Sequence, residues 1–271
     1  MYAGLILTRY SGRLMGAHQK IDRVARRHVG ELLPRPTSFP RIGAILQFEG
    51  KNGPDGIKRK SPSHNEPWHF LNPLADDNEE FLSIIRNHYQ ALVKHLKNKN
   101  NERASFEAAW LAHAVVDGLT PAHHYPYEDK ISELRNGEGK ESRNSISEKL
   151  IFRGDTTSKT IFNTLKVYGP KGLLTAHILF ELGFTVIIKP LRLPDARPAA
   201  KDMEEISRYG AMQYFLRRAR EIAVMDIFET YIRTGWTPKL SSQIRHSLAP
   251  MMVKTVSILW FHAAKEAGLC E

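Results

Sequence analysis

Two histidines and an aspartate near the end of one predicted helix have the types and spacing of metal ligands. His113 and Asp117 are four residues apart, which puts both side chains on one face of an α-helix, with about 5 to 6 Å between their Cβ atoms. Gly118 and Pro121 end the helix, so His123 can turn back toward the same ion. The face is apolar, and a carboxylate there is costly unless it is paired or bound to a metal. Alone, the motif fits a metal site and a buried His–Asp hydrogen bond about equally.

A second histidine–carboxylate pair repeats the four-residue spacing. His177 and Glu181 lie on a predicted helix whose neighbouring positions are apolar. Helical proteins commonly build polynuclear metal centres from such pairs on inward-facing helix surfaces. His262 and Glu266 have the same spacing and are the alternative. We favour His177 and Glu181 because their surroundings are more completely apolar.

Three further residues could contribute to the same chemistry. His18 lies on or beside the apolar stripe of the first predicted helix. The sequence at 53–56 is typical of a tight turn and presents Asp55. His69 lies between two aromatic residues. Each signal is weak alone, since a packed histidine or an ordinary turn explains it as well.

The order and spacing of these residues resemble those of the zinc-dependent phospholipases C, which share their scaffold with zinc-dependent single-strand nucleases. The most specific part is 112–123, including the proline two residues before the last histidine. The resemblance comprises His18, Asp55, His69, His113-x3-Asp117-x5-His123 and His177-x3-Glu181.

The resemblance implies two or three zinc ions held by nitrogen and oxygen donors. The ligands would be His69, His113 and Asp117 for the first zinc, His123, His177 and Glu181 for the second, and His18 with Asp117 for the third. Asp55 would act as general base or orient the attacking water. The third site of the family uses an N-terminal Trp, whereas this chain has no Trp before position 68, and its interval from His123 to His177 is longer than usual.

The expected function is therefore metal-dependent hydrolysis of a phosphodiester, preferably in a phospholipid. A single-strand nuclease is the first alternative, and a non-catalytic basic helical protein with a structural metal is the second. The chain has 39 basic and 29 acidic residues and a formal net charge of +10, which favours a phospholipid or membrane surface, or a nucleic acid, as partner. No feature indicates a protein partner. The only cysteine, Cys270, excludes a cysteine-based metal site.

The elements that must position these residues are helices. Apolar residues recur at three- and four-residue spacings, and strand-like alternation is weak, so we predict an all-α fold forming a single domain over 1–271. A long irregular loop is expected at about 39–73 and a polar insertion at about 126–147. Without a signal peptide or an apolar run of about 18 to 20 residues, a cytoplasmic location is expected, and association with a membrane surface is compatible with it. Helices are predicted near 14–33, 78–97, 103–118, 157–167, 171–189, 201–233 and 241–267.

Overall fold

The protein is all-α over the residues that the computed structural model describes, which are 16–58, 70–135, 137 and 151–270. This confirms the predicted fold class. The helices are α1 (Ala17–Leu32), α2 (Ile42–Ile45), α3 (Pro54–Lys58), α4 (Glu79–Lys97), α5 (Asn101–Gly118), α6 (Tyr127–Leu134), α7 (Thr157–Tyr168), α8 (Leu173–Ile188), α9 (Ala200–Ala223), α10 (Ile227–Thr234), α11 (Pro238–Gln243) and α12 (Ala249–Glu266).

The C-terminal helix α12 is the centre of the core. It packs against α1, α4, α5 and α9, and most of its side chains are buried. Trp260 of α12 is fully buried and donates its indole Nε1–H to the carbonyl of Ala108 in α5 at 3.0 Å. That bond satisfies the one polar atom of a large apolar side chain. The core thereby fixes α1 and α5, the two helices that carry the first candidate ligands.

The apolar period predicts the ends of α1, α4, α5, α7 and α8 to within three residues. The predicted stop of α5 is also correct, because the helix ends at Gly118 and a 3-10 turn, Pro121–His124, follows. The backbone N–H of His123 donates to the Thr120 carbonyl at 2.8 Å within that turn. This turn brings His123 back beside the end of α5.

Two predicted long helices are interrupted. The stretch near 201–233 contains α9 and α10, separated at Asp226, whose φ of 53° is left-handed. Within α9, Gly210 has a φ of 78° and breaks the helical path. The stretch near 241–267 contains a π-helical turn, Ile244–Leu248, just before Pro250. A proline lacks the N–H for the normal helical bond and crowds the carbonyl four residues earlier, so the backbone widens there.

The two segments predicted to be irregular contain short helices. The region of about 39–73 includes α2, α3 and the 3-10 turns Leu46–Phe48 and Gly50–Asn52, with 59–69 outside the described residues. The predicted insertion of about 126–147 is described over 126–135, which contains α6, and at 137, and it otherwise falls outside the described residues. Helices this short show no apolar period, which explains why the sequence pattern missed them.

One described stretch, Thr157–Ile188, is long and apolar enough to cross a membrane by length and composition, although the sequence showed no uninterrupted apolar run of that length. The signal is weak, since core helices of soluble proteins give it too. The stretch comprises two separate helices, α7 and α8, joined by a turn at 169–172. It also contains His177 and Glu181, two of the candidate ligands.

Candidate metal centre

The first cluster of candidate ligands, called here the Asp117 group, consists of His18, His113 and Asp117. His18 comes from α1 and the other two from α5. Nε2 of His18 lies 3.3 Å from Oδ1 of Asp117, and Nε2 of His113 lies 3.5 Å from Oδ2. The two imidazole rings are stacked with centroids 3.9 Å apart. All three side chains are buried, so their donors face one another away from solvent.

The second cluster, called the Glu181 group, consists of His123, His177 and Glu181. Nε2 of His123 and Nε2 of His177 lie 3.0 and 2.9 Å from the same oxygen, Oε1 of Glu181. His123 is buried, while the side chains of His177 and Glu181 are each 12% exposed. The α8 helix thus delivers both of its candidate ligands to the turn that follows α5.

Asp117 connects the two groups. Its Oδ1 lies 3.7 Å from Nδ1 of His123, in addition to its contact with His18. A carboxylate has four lone-pair directions on two oxygens and can therefore serve two neighbouring ions. The Asp117 and Glu181 groups form one continuous cluster of donors.

The donor spacing fits a metal ion in each group. In each, three ligand atoms lie within 4.8 Å of one another. Two donors bound to one tetrahedral zinc at about 2.0 to 2.1 Å are roughly 3.3 Å apart, close to the contacts of 2.9 to 3.5 Å found within the groups. Nε2 of buried His113 forms no well-directed hydrogen bond with any residue that the structure describes. Nitrogen and oxygen donors suit zinc, and they are compatible with manganese or iron.

Glu49 contacts the second ring nitrogen of His113, a contact that the sequence patterns did not predict. Oε2 of Glu49 lies 3.2 Å from Nδ1 of His113, and the carboxyl is almost completely buried. Metal-binding histidines commonly direct their second ring nitrogen to such a carboxylate, which fixes the ring orientation. Glu49 lies between two 3-10 turns, where no periodic pattern could mark it.

Asp22 is a second buried acid that sequence reasoning missed. It lies four residues after His18 on α1, so the spacing used for His113 and Asp117 also occurs here. Neither of its carboxyl oxygens has a hydrogen-bond partner among the described residues. Burial, and then the nearby Glu49, raise the pKa of Asp22 well above its usual value. This shift favours the protonated, neutral form of Asp22.

Asp55 lies at the solvent-accessible edge of the Asp117 group. It is in the first turn of α3, its side chain is 27% exposed, and its Oδ1 lies 3.6 Å from Nε2 of His113. Burial alone would raise the pKa of Asp55, but the adjacent His113 holds it well below the usual value. Asp55 is thus an ionised carboxylate that both water and the Asp117 group can reach.

Aromatic side chains surround the histidines of the Glu181 group. The ring of Phe70 has its centroid 5.6 Å from that of His123, and Tyr127 is 5.2 Å from His177. The backbone N–H of Leu71 donates to the carbonyl of His123 at 3.1 Å, which ties the end of the 39–73 region to the site. These rings limit the rotation of both imidazoles.

His262 and Glu266, the alternative histidine–carboxylate pair, lie apart from this centre. Nδ1 of His262 lies 2.6 Å from the hydroxyl of Tyr89 and 3.2 Å from Glu266, and neither residue belongs to the two groups. His177 and Glu181 are the pair that meets His123. His69, the remaining candidate ligand, lies outside the described residues.

The titration of His113 depends on the acids around it. Burial alone would lower its pKa, but Glu49, Asp117 and Asp55 raise it well above the usual value. Burial likewise opposes ionisation of Asp117, yet nearby positive charge, including that of His113, holds the pKa of Asp117 well below its usual value. For His123, burial dominates and lowers the pKa to about 3. Without metal, the raised pKa of His113 favours its protonated form, and a bound cation would displace that proton.

We expect metal affinity to rise with pH beyond the ordinary histidine range. Metal must replace the proton on His113, whose raised pKa keeps that proton in place above pH ~6.5. Affinity should increase until the pH passes the raised pKa, as measured by competition with a chromophoric chelator. Glu49→Gln removes a cause of the raised pKa of His113, so the increase in metal affinity should occur at lower pH. It should also weaken binding about 10- to 100-fold at high pH, because the supporting carboxylate is lost. Affinity that is flat from about pH 6.5 to 8.5 would contradict this account.

Comparison of the chain with protein-family models, with curated proteins and with solved structures gives no match. The chemistry of the cluster therefore has to be argued from its own donors. Those donors are five histidine and carboxylate side chains around a shared aspartate, with one ionised carboxylate, Asp55, at the edge reached by solvent.

Proposed function

We propose that this protein is a metal-dependent phosphodiesterase of the phospholipase C type, with zinc as its metal and a phospholipid as its substrate. The observation that carries the proposal is the link through Asp117 between two groups of three donors, beside the ionised Asp55. Paired metal sites of this kind favour displacement at phosphorus, where both the attacking and the leaving oxygen need stabilisation.

The residues have separate roles in this proposal. The Asp117 group would hold one zinc ion and the Glu181 group another, and the resemblance adds His69 to the first. A third zinc would require donors besides His18 and Asp117. Zinc, when bound, supplies Lewis-acid stabilisation of the charge that develops on the phosphate. Glu49 keeps the His113 ring in orientation.

Asp55 is the general base. A carboxylate is ionised at neutral pH, and the exposure of Asp55 lets a water reach it. It accepts a proton from the water whose oxygen forms the new bond to phosphorus. The bond between phosphorus and the glycerol oxygen breaks, that oxygen takes up a proton from solvent, and Asp55 releases its own proton to solvent. The products are a diacylglycerol and a phosphorylated headgroup.

A chromogenic phosphocholine ester and single-stranded DNA separate the candidate functions. We expect zinc-loaded protein to hydrolyse the ester, a chelator to abolish turnover, and added zinc to restore it. Hydrolysis of DNA but not of the ester would identify a nuclease instead. If neither substrate reacts although zinc is bound, the hydrolase proposal is wrong and the non-catalytic alternative applies. Metal content measured on the same sample separates that result from a failure to load.

A further inference from the structure

The helices α7 and α8 expose an unusual share of the large apolar side chains. Of the fourteen such side chains that are exposed among the described residues, nine lie on these two helices. Soluble proteins rarely leave large apolar side chains concentrated in one place unless they contact a partner or a membrane. We call this set the apolar face. It comprises Ile161, Phe162, Leu165, Tyr168, Leu174, Ile178, Leu179, Leu182 and Val186.

The two sides of α8 have different roles. Its inward side carries the ligands His177 and Glu181 and the fully buried Phe180 and Phe184. Its outward side repeats apolar residues every four positions, and the last of them, Val186, is 71% exposed. The inward residues already form the core and the metal centre, so the outward stripe is not needed for folding.

Positive charges accompany the apolar face. Between 151 and 192 the sequence has six basic and two acidic residues. One of the acids, Asp155, is paired with Lys159 at 2.7 Å, and the other is the ligand Glu181. The basic residues are all exposed, and they are Arg153, Lys159, Lys166, Lys171, Lys189 and Arg192.

We propose that the apolar face docks on the surface of an anionic lipid bilayer. Apolar side chains insert at the boundary of headgroups and acyl chains, while flanking lysines and arginines contact anionic headgroups. A second copy of this chain would bring an equally basic surface against the first, which disfavours that occupant. The 16 residues of α8 extend about 24 Å, less than the ~30 Å of a bilayer core, and the inward side is packed in protein. The helix therefore lies along the membrane and does not cross it.

Docking would place the metal centre close to its substrate. His177 and Glu181 lie on the helix whose opposite side meets the lipid, and a helix with its side chains is about 10 Å across. This link to the substrate rests on the proposed function. The docking surface itself rests only on the exposed side chains and charges, so binding can be measured without turnover.

The test is sedimentation of the full-length protein with vesicles, using two matched double variants. Leu165→Glu with Val186→Glu places charges on the apolar face, at side chains that are 56% and 71% exposed. The control, Leu74→Glu with Val224→Glu, makes the same changes at side chains that are 63% and 72% exposed but lie elsewhere. Vesicles consist of phosphatidylcholine alone or of phosphatidylcholine mixed with phosphatidylglycerol. Circular dichroism and metal content report whether each variant is folded.

We expect the wild type and the control to bind the anionic vesicles, and high salt to weaken binding. The variant of the apolar face should bind about tenfold more weakly or worse, because it loses inserted apolar area and adds repulsion. Its turnover of a soluble phosphocholine ester should be unchanged. If the wild type does not bind, or if both variants bind alike, docking is wrong. A wild-type dimer that only the apolar-face variant dissociates would assign the face to a second copy. Docking without ester hydrolysis would overturn the proposed function alone.

Discussion

Asp117→Asn is expected to empty most of the metal centre and to abolish hydrolysis. Asp117 contacts His18, His113 and His123, so it is the one ligand shared by both groups. An amide has nearly the same shape as a carboxylate but no negative charge, and it is a much poorer ligand. We expect bound zinc to fall by at least one ion per chain. Turnover should fall about a thousandfold or more, the equivalent of several kcal/mol of transition-state stabilisation.

Asp202→Asn is the matched control for this variant. Asp202 is also buried, accepts a hydrogen bond from the Ala199 N–H at 2.8 Å, and lies 3.3 Å from the Lys254 ammonium, outside both groups. It should lower stability and leave zinc content unchanged. A chelator should lower the melting temperature of the wild type, because metal bound only by the folded state stabilises it. The chelator should have little effect on the melting temperature of the Asp117→Asn variant. If that variant retains full zinc content, Asp117 is not the shared ligand.

The sequence predicted long helices far better than it predicted their interruptions. Helices such as α4 and α5 show several turns of apolar period, and in α5 a glycine followed by a proline marks the end. The break at 224–226 carries neither residue, and Asp226 adopts a left-handed conformation that its type only weakly favours. The short helices α2 and α3 have one turn each, too few for any period.

The candidate site was predictable where its residues share a helix. His113 with Asp117, and His177 with Glu181, each have the four-residue spacing of one helix face, and the structure puts both pairs in the cluster. The contact of His123 with Glu181 depends on how α8 packs against the turn after α5, and no local pattern encodes that packing. The resemblance supplied the order of these residues, and the structure supplied their distances.

Glu49 and Asp22 show two different reasons for missing a residue. Glu49 lies in an irregular segment, and only the tertiary fold brings it to His113. Asp22 carried a usable signal, since it follows His18 by four residues on the apolar side of α1. A carboxyl on that side is costly unless it is protonated or paired. Burial raises the pKa of Asp22, which is a shift toward the protonated form.

Asp55→Asn is expected to reduce turnover about 10²- to 10⁴-fold, the usual contribution of a general base, while most zinc remains bound. Asp55 belongs to neither group of three donors, and its side chain is the most exposed of the carboxylates around His113. An asparagine of the same shape cannot accept the proton of the attacking water. A loss of turnover without a loss of zinc therefore identifies Asp55 as the base, whereas a loss of both would identify it as a ligand.

The control for Asp55→Asn is Asp76→Asn, which removes the same charge from an exposed loop outside both groups. It should leave turnover and zinc content unchanged. Asp117→Asn and Asp55→Asn together decide how the centre works. If Asp55→Asn loses zinc as Asp117→Asn does, Asp55 is a ligand and another group must take the proton. If Asp55→Asn retains full turnover, Asp55 has no part in the chemistry. Loss of turnover with zinc retained makes Asp55 the base and leaves metal binding to the two groups joined by Asp117.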